Sequence, residues 1–284
     1  MNKALWFVFV FSSCFYFFYT FNNRVKNTPQ ILVPQTQAIS EPIAPEIVKN
    51  PIIEELNSNN SKIKSIYYPK INIKSSGLMV SSIFLYEKNK NFRMKNSSFF
   101  GPEADIGSNS EIFWFWSRRM RPSALFWAKH EDLHKTYLKT PFHPDWMMET
   151  IGINEVDTKD CFIFDYKNYV GIKQNRTDAI TGQPVVRIFL IDKDKKAFFG
   201  HYLVDQQGNT LISFEVNRYH FVYNMYFPKS VNITWNQENI KLSWELDRPT
   251  INPTFNKENW ILPNIKPQLE LSDYVSKAFR VSSK

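Results

Sequence analysis

The 284-residue chain has few of the residues on which common redox and nucleotide-binding motifs depend. It contains only 8 glycines and no P-loop or G-x-G-x-x-G pattern, which argues against a glycine-rich phosphate-binding loop. Its 2 cysteines, Cys14 and Cys161, are too few for a disulfide framework, and they form no C-x-x-C motif. We therefore expect no cofactor, and we expect Cys161 to be a lone, packed thiol.

Charge of one sign is present only in small excess. The chain has 35 Lys and Arg against 27 Asp and Glu, a formal charge of +8 that is spread along the sequence. This distribution lacks the basic stripe of a nucleic-acid-binding protein, so no nucleic-acid partner is expected. Hydrophobic residues reach 43% and aromatic residues 16%, which excludes a disordered polyelectrolyte and predicts a sizeable core.

The N-terminus carries an apolar run over residues 4–21 that follows a single positive residue, Lys3. At 1.5 Å per residue this run would span ~27 Å as a helix, close to the hydrocarbon thickness of a bilayer. Residues 1–21 are therefore predicted to be a signal peptide or an uncleaved membrane anchor. The run Phe11-Ser-Ser-Cys14 also resembles a lipobox, which makes lipidation of Cys14 a third alternative. All three alternatives place the remaining chain in the cell envelope, facing the periplasm.

Residues 22–60 differ in composition from the rest of the chain. They hold five prolines, show no sustained hydrophobic period and end in N-S-N-N-S. This pattern predicts a disordered Pro/Asn-rich linker with a root-mean-square span of ~35 Å.

Residues 61–265 are predicted to form one mainly β domain. Val231–Trp235 and Ile240–Leu246 alternate apolar and polar residues, and the four residues between them suit a hairpin loop. Further strands are predicted over Leu78–Tyr86, Ile112–Trp116, Cys161–Ile172, Val185–Ile191, Ala197–Val204, Leu211–Val216 and His220–Phe227. The fold class is a strongly curved antiparallel sheet or half-open β-barrel of about 10–11 strands, with a few short helices as a lid.

Helix signals are few. The segment Pro144–Ile151 begins with Pro-Asp and is followed by Gly152, which fits the rules for helix starts and ends. In the C-terminal region 266–284, helical spacing of apolar residues after Pro267 predicts a helix over Gln268–Phe279, followed by a tail.

The motif with the clearest catalytic pattern is His130-Glu131-Asp132-Leu133-His134, which matches H-E-x-x-H. On an α-helix the two histidines would lie on one face and bind zinc, with Glu131 as the general base. A third ligand is missing at the expected spacing, because His143 lies nine residues after His134 and the chain beyond is strand-like. A polar turn is therefore favoured, and no metal is expected, with zinc hydrolysis as the outside alternative.

Residues 91–152 resemble a known family. Asn91-Phe-Arg-Met94 precedes Asp105–Trp116 with its F-W-F-W run, and Ala124–Asp132 and Pro144–Gly152 follow in the same order. This arrangement resembles bacterial envelope lipoproteins related to the lipoprotein carriers LolA and LolB. The resemblance covers residues 75–262 and implies a half-open antiparallel barrel with a helical lid over an apolar cavity that holds acyl chains.

These observations lead to one expected function and two alternatives. The resemblance implies a non-catalytic envelope protein that binds a lipid or a lipoprotein acyl chain and is attached to the membrane through its N-terminal segment. The alternatives are a scaffolding envelope protein that binds a protein partner, and a zinc hydrolase. The residues expected to line the pocket are Phe92, Phe113, Trp114, Phe115, Trp116, Trp127, Trp146, Met147 and Met148. Because side chains alternate along a strand, only about half of residues 113–116 can face inward.

Overall fold

A computed structural model describes residues 50–75, 78–88, 91–98, 100–120, 122–136, 151–177, 183–236 and 239–273. Within these residues one curved, unclosed sheet contains fifteen strands. The strands are β1 Ser65–Ser75, β2 Leu78–Glu87, β3 Asn91–Ser98, β4 Gly101–Ser108, β5 Ile112–Ser117, β6 Leu125–Lys129, β7 Cys161–Asp165, β8 Tyr169–Thr177, β9 Pro184–Asp192, β10 Ala197–Val204, β11 Thr210–Val222, β12 Met225–Trp235, β13 Ile240–Leu246, β14 Thr250–Ile251 and β15 Gln268–Glu270.

The sheet consists of two meanders joined side by side. Its order is β15-β6-β5-β4-β3-β2-β1-β13-β12-β11-β10-β9-β8-β7, and β14 also pairs with β1. Pairing of Ile71 in β1 with Leu246 in β13 joins the two meanders. All neighbours are antiparallel except β15 and β6, which are parallel. The mainly β, curved, antiparallel architecture predicted from the sequence is confirmed.

The clearest predicted strands are present at the expected positions. The hairpin of Val231–Trp235 with Ile240–Leu246 forms β12 and β13, in register from Trp235 opposite Ile240 to Ser230 opposite Glu245. The alternation of apolar and polar residues predicted these two strands correctly, because one face of each strand is buried and the other is not.

Two predicted strands are each interrupted by a turn, which partly explains why fifteen strands are found where about 10–11 were expected. Cys161–Ile172 is divided between β7 and β8 by a turn in which the Tyr166 N–H donates to the Tyr169 carbonyl. His220–Phe227 contains the turn between β11 and β12, where Tyr223 and Asn224 have φ of 48° and 59°. Neither turn contains Gly or Pro, and a single Asn in each, Asn168 or Asn224, gave only a weak turn signal.

The linker prediction is wrong for residues 51–60, because Pro51–Ser61 forms an 11-residue helix, α1. The Asn50 side chain caps its first turn by accepting a hydrogen bond from the Ile52 N–H, 3.0 Å away, and Pro51 occupies the first helical position. Ile53 and Leu56 are 2% exposed, so tertiary packing stabilises a segment whose own composition favours a loop.

The predicted helix Gln268–Phe279 is also wrong at its start. Gln268–Glu270 forms β15 and pairs with β6, and only Leu271–Asp273 is helical before the described residues end. The parallel pairing with β6 supplies backbone partners that outweigh the helical spacing of the apolar residues. The predicted helix Pro144–Ile151 lies outside the described residues except for Ile151. In the part of the chain that the structure describes, no helix has both the length and the apolar character needed to cross a bilayer.

The two faces of the sheet have different roles. We call the face that carries Phe84, Phe92 and Phe113 the inner face, because these side chains belong to the main core cluster. The opposite face is the outer face. Over β3–β5 the outer face is covered by a 3-10 helix at Lys257–Trp260, which contacts β3.

A buried ion pair holds the segment Lys257–Trp260 against the outer face of the sheet. Arg93 donates to Asp105 from Nε (3.0 Å to Oδ1) and from Nη2 (2.7 Å to Oδ2), and its Nη1 donates to the Asn259 carbonyl at 2.9 Å. The Trp114 indole N–H also donates to Asp105, 3.2 Å away, and the indole lies over Gly107, where an added Cβ would meet it at 2.3 Å. The pair thus joins β3, β4, β5 and the C-terminal segment.

Replacing Asp105 with Asn should lower the free energy of unfolding by about 3–5 kcal/mol, because Arg93 would remain as a buried, unpaired charge. The matched control is Glu103→Gln, since Glu103 pairs with Arg119, whose side chain is 46% exposed. That control should change stability by no more than about 1 kcal/mol. Denaturant unfolding of both variants measures the difference, and equal losses would contradict the assigned role of the buried pair.

Candidate functional site

A row of aromatic rings runs across the inner face of β1–β6. Tyr68, Phe84, Phe92 and Phe113 follow one another with ring centroids 6.4 Å apart at each step. Phe115 continues the row toward Phe126, which lies 5.4 Å away in a stacked arrangement. Tyr68, Phe84, Phe92, Phe113 and Phe126 are at most 2% exposed, so in this half of the sheet the rings fill the interior.

The structure separates the predicted pocket residues by face. Phe92, Phe113 and Phe115 lie on the inner face and contribute to the aromatic row. Trp114, Trp116 and Trp127 lie on the outer face instead. The strand register places them there, because these residues pair with Gly107, Asp105 and Trp114 respectively, and directly paired residues share a face.

The sequence predicts the three tryptophans in the pocket with the phenylalanines, because the F-W-F-W run does not indicate which alternate residues face inward. The buried Arg93–Asp105 pair lies on the same face as the tryptophans, and recognising this pair would have separated the two sets. Trp146, Met147 and Met148 lie outside the described residues, as does the candidate lipidation site Cys14.

The inner face of the other half of the sheet is covered by two segments that are bonded to each other. The Asn57 side chain donates to the Val156 carbonyl at 3.0 Å and accepts from the Val156 N–H at 2.8 Å. The Asn60 side chain donates to the carbonyls of Gly152 and Asn154, at 3.2 and 2.9 Å. We call α1 together with residues 151–157 the cover, because these hydrogen bonds from the Asn57 and Asn60 side chains join the two segments.

The cover meets the sheet mainly through apolar side chains. Ile53, Leu56 and Val156 of the cover form a separate hydrophobic cluster with a set of side chains from β8, β9 and β10. That set consists of Val170, Ile172, Phe189, Ile191 and Phe198. This contact is therefore mainly non-directional and shape-dependent.

Four polar contacts also join the cover to the sheet. Tyr86 donates its hydroxyl to Asn154, 2.7 Å away, and the Gln174 amide donates to the Asp157 carbonyl. The ion pairs Lys88–Glu155 (3.2 Å) and Lys196–Glu55 (3.9 Å) lie at the surface. Burial raises the pKa of Tyr86 to about 12, so this hydroxyl remains a neutral donor at physiological pH.

A pocket lies between the cover and β10–β12. Phe198, Phe214 and Phe227 are among its apolar lining residues, and Lys195 and Lys196 also line it. Its interior volume of ≈ 20 Å³ holds about one water molecule. With the cover in this position, the pocket is too small for an acyl chain.

A buried histidine lies on the inner face near the cover. His201 is 2% exposed and stacks on Phe189 with ring centroids 4.4 Å apart. Burial, and then the positive charge of Arg187, lower the pKa of His201 well below its ordinary value. His201 is therefore neutral at physiological pH, and protonating it would place a second positive charge beside Arg187.

The H-E-x-x-H motif does not form the α-helix on which two such histidines share a face. His130–Lys135 forms a 3-10 helix, which has three residues per turn and therefore rotates residues at i and i+4 away from a shared face. His130 Nε2 instead lies 2.8 Å from the Asn109 carbonyl and 3.1 Å from the Ser108 hydroxyl. Among the described residues no group of three His, Cys, Asp or Glu side chains is arranged to hold a metal ion.

Cys161 is partly buried at the start of edge strand β7. Its thiol donates to the Thr158 carbonyl at 2.9 Å. Burial and the neighbouring Asp157 carboxylate raise the pKa of the Cys161 thiol, which disfavours the reactive thiolate. The expectation of a packed rather than a reactive cysteine remains a prediction that this geometry favours.

Comparison with solved structures finds the same fold at very low sequence identity. A DUF1329 family protein from Desulfovibrio piger matches 74% of this chain and 94% of its own, with a TM-score of 0.53 and 8% identity. A LolA superfamily protein from Nitrosomonas europaea matches 74% of this chain and 97% of its own, with a TM-score of 0.46 and 8% identity. No family model matches the sequence, and neither does any curated protein. The curved, mainly β antiparallel fold expected from the sequence is therefore shared with the Desulfovibrio piger protein.

Acidification should destabilise the protein through His201. A histidine whose pKa is depressed in the fold favours the unfolded chain once the pH falls below the unfolded value of about 6.5. Its contribution to stability is fully present above that pH and decreases by up to about 1.4 kcal/mol per pH unit below it.

The measurement is denaturant unfolding at pH 7 and pH 5. The variant His201→Gln should lose less stability between these pH values than the unaltered chain, by about 2 kcal/mol. The control His220→Gln should keep the full loss, because it leaves His201 in place. Identical pH profiles for all three proteins would contradict the assignment.

Proposed function

We propose that this chain is a non-catalytic cell-envelope protein, tethered through residues 4–21, that binds a lipid or a lipoprotein acyl chain between the cover and the inner face of the sheet. One observation carries the proposal. The cover rests on the sheet through an apolar cluster, beside a pocket whose lining includes Phe198, Phe214 and Phe227. Such a contact resembles the one that an acyl chain would make in the same place.

Binding requires the cover to move, because the pocket in this state holds about one water molecule. Moving it exposes the apolar side chains that the cover buries, Ile53, Leu56, Ile151, Ile153 and Val156, at a cost of about 1.5–3 kcal/mol each. An acyl chain that buries ten methylene groups contributes ~8 kcal/mol. The exchange is therefore near balance for a chain of ordinary fatty-acid length and unfavourable for a short one.

The lining residues also suggest how a ligand would be oriented. Phe198, Phe214 and Phe227 offer apolar surface to the chain, and Lys195 and Lys196 are placed to meet an anionic headgroup. Lys195 lies 2.6 Å from Asp192 and Lys196 lies 3.9 Å from Glu55. A headgroup would compete with these two carboxylates, so we expect only a modest electrostatic contribution to affinity.

The small volume of the pocket favours a second candidate, a scaffolding envelope protein whose interior stays filled. In that case the cover would be a permanent part of the core, and the outer surfaces would carry the interactions. The two candidates differ in whether lipid reaches the inner face.

Photo-crosslinking in membranes separates them. Cells that produce the full chain are fed a diazirine-bearing palmitate, and the adducts are mapped to peptides by mass spectrometry. The proposal predicts adducts in α1 and β10–β12. Adducts confined to the N-terminal apolar segment, or none at all, would contradict acyl binding and favour the scaffold.

A pair of matched variants then locates the site. Ala197, 6% exposed, lines the pocket, and Ala104, 8% exposed, lies on the inner face of β4 near the aromatic row. Ala197→Leu should reduce the adducts several-fold because the added methyl groups occupy the pocket. Ala104→Leu should leave them unchanged. The opposite result would place the ligand on the aromatic row, as the sequence predicted, and thermal unfolding checks that both variants fold.

A further inference from the structure

Three turns lie side by side at one end of the sheet. They join β7 to β8, β9 to β10, and β11 to β12. The Lys193 N–H donates to the Asn168 carbonyl at 3.0 Å, which links the first turn to the second. The Tyr219 hydroxyl donates to the Phe198 carbonyl at 2.9 Å, which links the second turn to the hairpin of the third. These bonds hold the three turns as one continuous surface.

Large aromatic side chains project from this surface into solvent. Tyr223 is 73% exposed, Phe221 56%, Tyr166 52% and Tyr226 37%. We call these four residues the aromatic rim. Phe221 and Tyr226 contact each other with ring centroids 4.8 Å apart, so the rim is partly contiguous. Exposed apolar clusters of this kind mark interaction sites more often than isolated exposed residues do.

The tip of the rim places a large side chain where a small one would be easier to accommodate. Tyr223 and Asn224 have φ of 48° and 59°, the left-handed region in which two-residue hairpin turns favour Asn, Asp or Gly. Asn224 suits that conformation and Tyr223 does not. The fold therefore holds an aromatic ring at its most exposed tip despite an unfavourable backbone conformation.

Lysines and carboxylates surround the rim. Lys167 is exposed in the first turn, and the second turn contains Lys193, Lys195 and Lys196. Lys193 pairs with Asp165, Lys195 with Asp192 and Lys196 with Glu55. The Lys195 ammonium lies 5.6 Å from the Tyr219 ring centre. Aromatic rings interleaved with lysines match the interfacial zone of a bilayer, where rings reside at headgroup depth and lysines reach toward phosphates.

Helix α1 passes close to this end of the sheet. Glu55 of α1 lies 3.9 Å from Lys196 in the second turn. Asn50, where the description begins, precedes Glu55 by about 7.5 Å along the helix axis. Forty-nine residues precede Asn50, and they include the apolar run at residues 4–21. The proposed tether is therefore joined to the fold through a helix that lies beside the second turn.

We infer that the aromatic rim is a membrane-docking surface, which rests against the headgroup region of the bilayer and orients the pocket toward it. This inference rests on the proposed tether. A bilayer fits better than a protein partner because the rim is split over three turns with charged residues between them, whereas the core of a protein interface is depleted in charge. Docking would bring Lys195, Lys196 and the edge of the cover near the lipid surface.

The test uses the full chain inserted into mixed phosphatidylcholine–phosphatidylglycerol vesicles. The photo-reactive amino acid benzoylphenylalanine, which is similar in shape to tyrosine, replaces Tyr223 in one variant and Tyr166 in a second. The matched control carries it at Gln206, which is exposed in the turn between β10 and β11 at the opposite end of the sheet. After illumination, mass spectrometry measures lipid adducts at each position.

The inference predicts several-fold more lipid adducts at positions 223 and 166 than at position 206. Equal yields at the two ends, or adducts only to a second copy of the chain, would overturn it. Flotation of the vesicles tests the tether separately. A chain that floats but forms equal adducts at both ends of the sheet would support the proposed tether and contradict the docking surface. A chain that does not float would contradict the proposed tether. The docking inference would then be supported only if positions 223 and 166 still form adducts with the added vesicles, and it would be overturned if they do not.

Discussion

The apolar inner face of a sheet that does not close must be covered by something other than strands. Neighbouring strands satisfy the backbone of this sheet, but they do not bury the rings and aliphatic side chains that face inward. In the β1–β6 half, the aromatic row packs tightly enough to fill its own interior. In the β8–β10 half, α1 and residues 151–157 complete the core, and Ile53 and Leu56 are as buried as the strand residues they contact.

This division gives the two halves different mechanical properties. The β3–β5 region is fastened on its outer face by the Arg93–Asp105 pair, which carries directional, buried hydrogen bonds. The cover is held mainly by apolar contact, and its reciprocal amide bonds lie within itself. Breaking a buried charge pair is costly, whereas one apolar contact can be exchanged for another of similar area at little net cost. The two kinds of contact therefore differ in how readily they can be exchanged, and the proposed acyl binding requires the exchangeable kind at the cover.

The sequence was informative where local pattern and burial agree. Alternation predicted β12 and β13, turn residues marked the ends of the strands predicted within β9 and β11, and the F-W-F-W run with its neighbours suggested the family resemblance. It was uninformative where a tertiary contact decides the outcome. Pro51–Ser61 is polar enough to suggest a linker, and only the apolar surface beneath Ile53 and Leu56 makes it a helix.

The candidate site was predicted less well than the fold, for the same reason. Phe113 and Trp114 are adjacent and equally buried, and nothing local distinguishes the ring that faces the core from the ring that faces Arg93. The turn at Tyr223 and Asn224 has only one residue of a type that favours turns, so the most exposed residue of the aromatic rim lay inside a predicted strand. The pocket between the cover and β10–β12 depends on contacts between residues about 140 positions apart, such as Glu55 and Lys196, which no local pattern reports.

The most direct test of this account is hydrogen–deuterium exchange of the full chain in vesicles, with and without added palmitate. An isolated 11-residue helix is marginally stable in water, so α1 should exchange faster once it no longer rests on the sheet. The account predicts that palmitate accelerates exchange in α1 and leaves β3–β5 unchanged. Unchanged or slower exchange in α1 would contradict it, because the cover would then remain in place while lipid is present.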